Sequence, residues 1–295
     1  MTRAEVHGFA GDAVEVGRLA SRLAVPQGLI DLHAFPDGET LPTVPLTDAA
    51  TVILYRSLHH ANERLVSLLL AADAYRRSGV ARLVLVAPYL CYLRQDAVFR
   101  PGQSLSRDVV GRWLGGAFDR IVTVQAHLHR TADLTDVFGA PSESLSIVGD
   151  LAVLAADGDR PLIVGPDIES RPLAEDAATR LGTDWVVFDK TRLGDRQVRL
   201  SLKVPDKVAG RAVLLLDDVC SSGGTLEQAI TLLRQAGAVS VDVAVAHALF
   251  DADVETRLRA AGARRILSSD SVPNPTNAME LAGVLATALR EETTA

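Results

Sequence analysis

The chain has 295 residues, 48% hydrophobic and 23% charged, with a formal net charge of -7. That is the composition of a globular protein, and the length suits two domains better than one. The acidic balance argues against a broad nucleic-acid-binding face but leaves room for a small basic pocket that takes a phosphorylated metabolite.

The opening residues, MTRAEVHGFAGDAVEV, lack the uninterrupted apolar segment of a secretory signal. No run reaches the apolar length that spans a bilayer. Cys91 and Cys220 stand far apart and without metal-ligand spacing, so a soluble protein of the reducing cytoplasm is expected. In chain order, TVILY (51–55) reads as a buried strand and 62–79 as a helix with apolar residues at three- and four-residue intervals. RLVLVAP (82–88), a helix over 106–117 and RIVTVQ (120–125) continue the alternation. After FGAPSESLSIVGD (138–150), rich in Gly, Pro and Ser, it resumes with strands at 161–166 and 184–188 around a helix over 170–182. AVLLLDD (212–218), a helix over 225–238, VDVAVAH (241–247) and RRILSS (264–269) complete it.

Strand–helix alternation of this kind predicts an α/β fold of mostly parallel sheets flanked by helices. The pause near 138–150 sets the expected boundary, with domains 1–145 and 146–295, and leaves open whether the last helix packs back on the first domain. Similar numbers of elements on each side suggest a duplicated architecture. Segment 189–207 is charged and long for a tight connection, and reads as a mobile hairpin or flap.

The chemistry concentrates at VLLLDDVCSSGGTLEQA (213–229). A buried strand, a small-residue turn and a helix would aim backbone N–H groups at an anion beside the positive helix end. Ser221, Ser222 and Thr225 add hydroxyl donors, and Gly223 and Gly224 permit close approach. Alone, SGGT is an ordinary strand-to-helix turn. Asp217 and Asp218 at the carboxyl end of the strand, where ligands of open α/β sheets bind, change that reading. Carboxylates suit two neighbouring sugar hydroxyls, so a phosphorylated ribose fits both halves.

This stretch resembles the phosphoribosyl-diphosphate loop of type I phosphoribosyltransferases and of ribose-phosphate pyrophosphokinases (PRPP synthetases). FPDGETLP (35–42), APYLCYLRQD (87–96), the segment 104–130, VGPDIESRPLAEDAATRLG (164–182) and FDKTR (188–192) resemble the second family in order and in register. The resemblance implies two type I phosphoribosyltransferase-like domains, the first with ATP-side motifs and the second with the ribose 5-phosphate loop and a catalytic flap. It implies an ATP site of Phe35, Asp37, Glu39, Arg94, Gln95 and Asp96, the first three supplied by a neighbouring subunit of a homo-oligomer. It further implies Mg²⁺ at His127 and Asp167, catalytic cations Lys190 and Arg192, and a ribose 5-phosphate site of Asp217, Asp218, Ser221, Ser222, Gly223, Gly224 and Thr225. Bacterial members commonly carry Asp at position 221 and Thr at 222; Ser221 and the shorter chain are closer to the archaeal type, and Ser222 keeps a hydroxyl donor. The expected reaction makes 5-phosphoribosyl 1-diphosphate and AMP from ATP and ribose 5-phosphate. Its rivals are a phosphoribosyltransferase that consumes PRPP and a non-catalytic relative that assembles with active synthetases.

Overall fold

A strand buried on both faces is a continuous apolar run rather than an alternation, and such runs form the middle of two sheets. The computed structural model describes residues 4–98, 100–128, 133–192, 198–202 and 204–294, without the side chains of 190–192, 198 and 199. The chain divides into two compact units, Met1–Leu145 with Leu281–Ala295, and Ser146–Glu280.

The first unit runs β1 (Ala4–Phe9), α1 (Ala13–Leu23), β2 (Gln27–Ala34), β3 (Thr40–Thr43), β4 (Thr51–Tyr55), α2 (Ala61–Arg77), β5 (Arg82–Ala87), α3 (Ser106–Ala117), β6 (Arg120–Val124), α4 (Leu134–Phe138) and β7 (Ser142–Leu145). Its sheet has the order β3-β2-β1-β4-β5-β6-β7. All neighbours are parallel except β3, which returns antiparallel along β2. All five residues of β4, in the middle, are buried. Leu65, Leu68 and Tyr75 of α2 and Leu114 of α3 cover one face of this sheet. Tyr75 is fully buried without an orphan polar atom, because its hydroxyl bonds His7 Nδ1 at 2.6 Å. His7 Nε2 in turn reaches Glu5 at 2.8 Å.

Beyond the ends of β1 and β4 lies a buried ionic cluster. Asp12 accepts from Arg56 and from Arg64, each at 2.9 Å. Arg64 also donates to the Ser57 carbonyl at 3.0 Å, and the Arg56 guanidinium lies 3.8 Å from the centre of the Phe9 ring. Burial, with Arg64, His60 and Arg56 nearby, pushes His59 down to about 4.

The second unit follows with α5 (Val148–Ala156), β8 (Leu162–Gly165), α6 (Arg171–Leu181), β9 (Trp185–Val187), β10 (Asp189–Arg192), β11 (Val198–Ser201), β12 (Ala212–Cys220), α7 (Gly224–Gln235), β13 (Ser240–Ala248), α8 (Ala252–Ala260), β14 (Ala263–Ser269) and β15 (Asn277–Met279). Its parallel sheet has the order β15-β14-β13-β12-β8-β9. β10 and β11 form a separate antiparallel hairpin; residues 193–197 of the expected flap lie outside the described residues. The last helix, α9 (Ala282–Leu289), belongs to the first unit and packs on α1. Glu292 just after it is buried and accepts from Arg82 at 2.6 and 2.8 Å and from Arg120 at 2.9 Å. The Arg82 hydrogen bonds lead in holding Glu292 below the usual carboxylate range, against burial and with Arg120 assisting.

The predicted strands correspond to β4, β5, β6, β8, β9, β12, β13 and β14. The Gly, Pro and Ser residues of 138–150 are element ends rather than a linker. Gly139, at φ +67°, ends α4, the Pro141 carbonyl accepts from Ile121 N–H at 3.0 Å, and β7 and the start of α5 occupy the rest.

Candidate active site

The apolar run of β12 ends at the fully buried Leu216, and two carboxylates follow. Pairing with β13 nevertheless continues to Cys220↔Ala248, so Asp217 and Asp218 lie inside the strand rather than beyond it. On the other side β8 pairs in the register Leu215↔Val164 and stops at Gly165. The residues after β8 therefore come level with the two acids. Asp167 is among them, buried, capping the 3-10 turn Ile168–Ser170 by accepting from Glu169 N–H at 3.1 Å and Ser170 N–H at 3.3 Å.

Three carboxylates thus share one end of the sheet. Burial first, then the charges of Asp218 and Asp167, push the Asp217 carboxyl well above its ordinary range. The Asp218 N–H donated to Asp217 Oδ1 at 3.0 Å opposes this without reversing it. Such a site is short of positive charge, and a hard cation with oxygen preference suits its donor set. Among the described residues no group of three His, Cys, Asp or Glu could hold a metal ion by itself.

After Cys220 the chain turns. Ser221 and Ser222 are exposed, Gly223 buried, Gly224 exposed and Thr225 half-buried. The two glycines have different roles. Gly223 adopts φ +77°, and a Cβ there would lie 2.5 Å from Val254 Cγ1, so the turn requires glycine twice over. A Cβ on Gly224 would meet nothing within 4 Å. The first hydrogen bond of α7 runs from Glu227 N–H to the Gly223 carbonyl at 2.8 Å. The N–H groups of Gly224, Thr225 and Leu226 precede it, and a helix end of this kind favours negative charge.

Two neighbours complete the surroundings of the loop, and of these Arg257 leaves no signal in the sequence. Arg257 of α8 donates from Nη2 to the Ser222 carbonyl at 2.7 Å and pairs through Nε with Glu227 at 3.2 Å. Cys220 is buried beneath the turn; burial, then the Asp217 charge, pushes its thiol up to about 12, although Gly223 N–H and Arg257 pull the other way. An unreactive packing residue results.

The other predicted site residues belong to the first unit. Phe35, Asp37 and Glu39 are exposed at the tip of the β2–β3 hairpin. The tip is closed by Phe35 N–H to the Glu39 carbonyl at 2.8 Å and by Glu39 N–H to Asp37 Oδ1 at 3.1 Å. The Phe35 ring stands edge-on to His33, with centroids 4.5 Å apart. Arg94 and Gln95 are exposed and Asp96 half-buried in the turn after β5, which is tied to α3 by Arg107 N–H on the Gln95 carbonyl at 3.4 Å. His127, half-buried, follows β6, where Ala126 N–H donates to Ser144 Oγ at 2.8 Å. All three segments leave the carboxyl edge of one parallel sheet. Since β1 and β4 stand between β2 and β5, the hairpin and the Arg94–Asp96 turn are three strand spacings apart, about 14 Å. Lys190 and Arg192 lie on β10 by their backbone; their side chains are outside the described residues.

Residues 15–117 match the N-terminal domain of ribose phosphate pyrophosphokinase, and residues 146–279 match the phosphoribosyl transferase domain. A ribose-phosphate pyrophosphokinase of Methanopyrus kandleri is 34% identical over 283 residues, covering 94% of this chain and 96% of the relative. The chain belongs to the ribose-phosphate pyrophosphokinase family. A further ribose-phosphate pyrophosphokinase, from Methanosarcina acetivorans, is 32% identical over 281 residues, with 92% and 95% covered. The crystal structure of phosphoribosylpyrophosphate synthetase from Mycobacterium smegmatis superimposes with a TM-score of 0.83 at 25% identity over 98% of both chains. The two α/β units are therefore the type I phosphoribosyltransferase-like pair that defines ribose-phosphate pyrophosphokinases.

Proposed function

We propose that the chain is a ribose-phosphate pyrophosphokinase that transfers the diphosphoryl group of ATP to the anomeric hydroxyl of ribose 5-phosphate. The observation that carries this is a family match through both units at 94% coverage. A phosphoribosyltransferase that consumes PRPP accounts for the second unit alone. In the reaction the anomeric oxygen bonds to the β-phosphorus, and the bond from that phosphorus to the α–β bridging oxygen breaks, releasing AMP.

In this reading the turn of Ser221, Ser222, Gly223, Gly224 and Thr225 holds the 5-phosphate through its hydroxyls and the N–H groups of Gly224 and Thr225, with Gly223 shaping the turn, supported by the open face of Gly224. Asp217 and Asp218 accept from the ribose hydroxyls. Arg94, Gln95 and Asp96 bind the nucleotide. Phe35, Asp37 and Glu39 bind adenine in the site of a neighbouring subunit, a reading supported by their exposure at the tip of the β2–β3 hairpin. Mg²⁺ held by His127 and Asp167 would neutralise phosphate charge on the nucleotide, and the carboxylate crowding at Asp217 supports a cation nearby. Lys190 and Arg192 on the β10–β11 hairpin stabilise the negative charge that builds around the β-phosphorus, and closure of the hairpin excludes water. No helix among the described residues is long and apolar enough to cross a membrane; a cytoplasmic homo-oligomer completes the reading.

The test is AMP formation from ATP by the purified protein with Mg²⁺. Release that depends on ribose 5-phosphate supports the synthetase. PRPP consumption with a purine or pyrimidine base, and no AMP from ATP, would establish the transferase instead. Activity only after a second synthetase is added would mark a regulatory relative.

A further inference from the structure

The turn Ser221–Ser222–Gly223–Gly224 is built from residues that restrain the backbone weakly. A flipped Ser222–Gly223 peptide would re-aim the helix entrance, so something must hold it. One guanidinium does so from α8. Arg257 Nη2 takes the Ser222 carbonyl at 2.7 Å, and its Nε takes Glu227 of the first turn of α7 at 3.2 Å. The clamp spans both sides of the turn. Val254, one helical turn earlier on α8, lies directly under Gly223, so the same helix supports the turn and grips it.

The peptide is planar and trans, so a carbonyl held toward α8 sends the Gly223 N–H the opposite way. That N–H faces the Cys220 sulfur. The plane is restrained at both ends, and neither restraint uses the N–H groups of Gly224, Thr225 or Leu226.

We infer that Arg257 is a positioning residue for ribose 5-phosphate, fixing the Ser222–Gly223 peptide so that the entrance of α7 is ordered before the phosphate arrives. This rests on the assignment of residues 221–225 to the 5-phosphate. Without the clamp, part of the binding free energy goes into ordering the turn, and affinity falls with no loss of contact to the substrate. The phosphate is bound equally in ground and transition states, so the loss belongs in KM rather than kcat. Lysine keeps the charge but lacks the planar fork that bridges two acceptors.

The experiment compares Arg257→Gln, Arg257→Lys and Thr225→Val by initial-rate kinetics, with circular dichroism melting of each. Arg257→Gln is expected to raise the KM for ribose 5-phosphate about tenfold, the order of the entropy cost of fixing one residue's backbone. The kcat and the KM for ATP should stay within about twofold of wild type, as for a loss of uniform binding. Arg257→Lys should recover only part of the loss; full recovery would show that charge, not the clamp, matters, and would overturn the inference. An unchanged KM in Arg257→Gln while Thr225→Val raises it also overturns the inference but leaves the loop assignment standing. If neither variant moves that KM, the loop assignment itself has failed. A fall in kcat, ATP affinity and melting temperature together would make Arg257 a general structural residue and refute the positioning role.

Discussion

The two adjacent glycines of the phosphate loop should respond to alanine in opposite ways. At Gly223 a side chain is forced into the left-handed region, at about 1–2 kcal/mol. Its Cβ also lands 2.5 Å from Val254 Cγ1, an overpacking that adds about 1–3 kcal/mol. Gly223→Ala should therefore destabilise the second unit by about 2–5 kcal/mol. Gly224 has neither problem: its φ is ordinary and its Cβ position is open to 4 Å. Alanine there removes freedom from the unfolded chain and should stabilise by about 0.4–1 kcal/mol. The same methyl stands where the phosphate must approach. Loss of one hydrogen bond to a charged group, about 1.5–3 kcal/mol, would weaken ribose 5-phosphate roughly ten- to a hundredfold. Urea unfolding followed by fluorescence can be confined to the second unit. The chain has two tryptophans, and Trp113, 53% exposed, can be replaced by Phe to leave Trp185 as reporter. A Gly224→Ala protein that is more stable yet binds ribose 5-phosphate as tightly as wild type would refute the placement of the phosphate. A Gly223→Ala protein with an unchanged midpoint would refute the geometry of the turn.

Other consequences concern charge. The raised Asp217 pKa means that its favourable, protonated form is kept below the ordinary carboxylate range and lost as pH rises through the raised value. Asp217→Asn should thus melt above wild type at pH 7 in a chelator, with the gap closing in acid and narrowing on adding Mg²⁺, while AMP formation falls; a lower melting temperature at pH 7 would contradict the crowding. His59 has the opposite sign. Its folded pKa of about 4 lies below the ordinary 6.5, so the first unit should lose up to about 3 kcal/mol as pH falls between those values. His59→Gln should flatten that part of the pH–stability curve, and an unaltered curve would count against a buried neutral imidazole. Glu292→Gln leaves two arginines facing one neutral partner and should cost about 1–3 kcal/mol. Amide exchange should then show α9 opening before the rest of the first unit; unchanged protection there would argue against the tether.

What could be read in the sequence follows burial. β4, β5 and β12 are apolar runs because both faces are covered, and the paired acids and small-residue turn after Leu216 interrupt that pattern visibly. β1 was missed because Glu5 and His7 break its run; only the distant Tyr75 makes His7 a core residue. β2 is mostly exposed and has no apolar stripe to betray it. The clustering of Asp167 with Asp217 and Asp218 depends on the β8–β12 register, and the grip of Arg257 on Ser222 joins residues 35 apart. Neither leaves a local trace.

The buried Asp12–Arg56–Arg64 cluster takes on another meaning when the sheets are aligned strand by strand. The order β2-β1-β4-β5 of one unit corresponds to β9-β8-β12-β13 of the other. Asp12 follows β1 as Asp167 follows β8, and Arg56 follows β4 near where the phosphate loop follows β12. Where the second unit keeps acids close to each other, the first has two arginines on Asp12 and fills the position with its own side chains. One unit thus has its carboxylate ion-paired at this position when empty, whereas the other is left with like charges that a bound cation would offset. Heating with and without ribose 5-phosphate and Mg²⁺, in the absence of ATP, should consequently shift the melting of the second unit far more than that of the first.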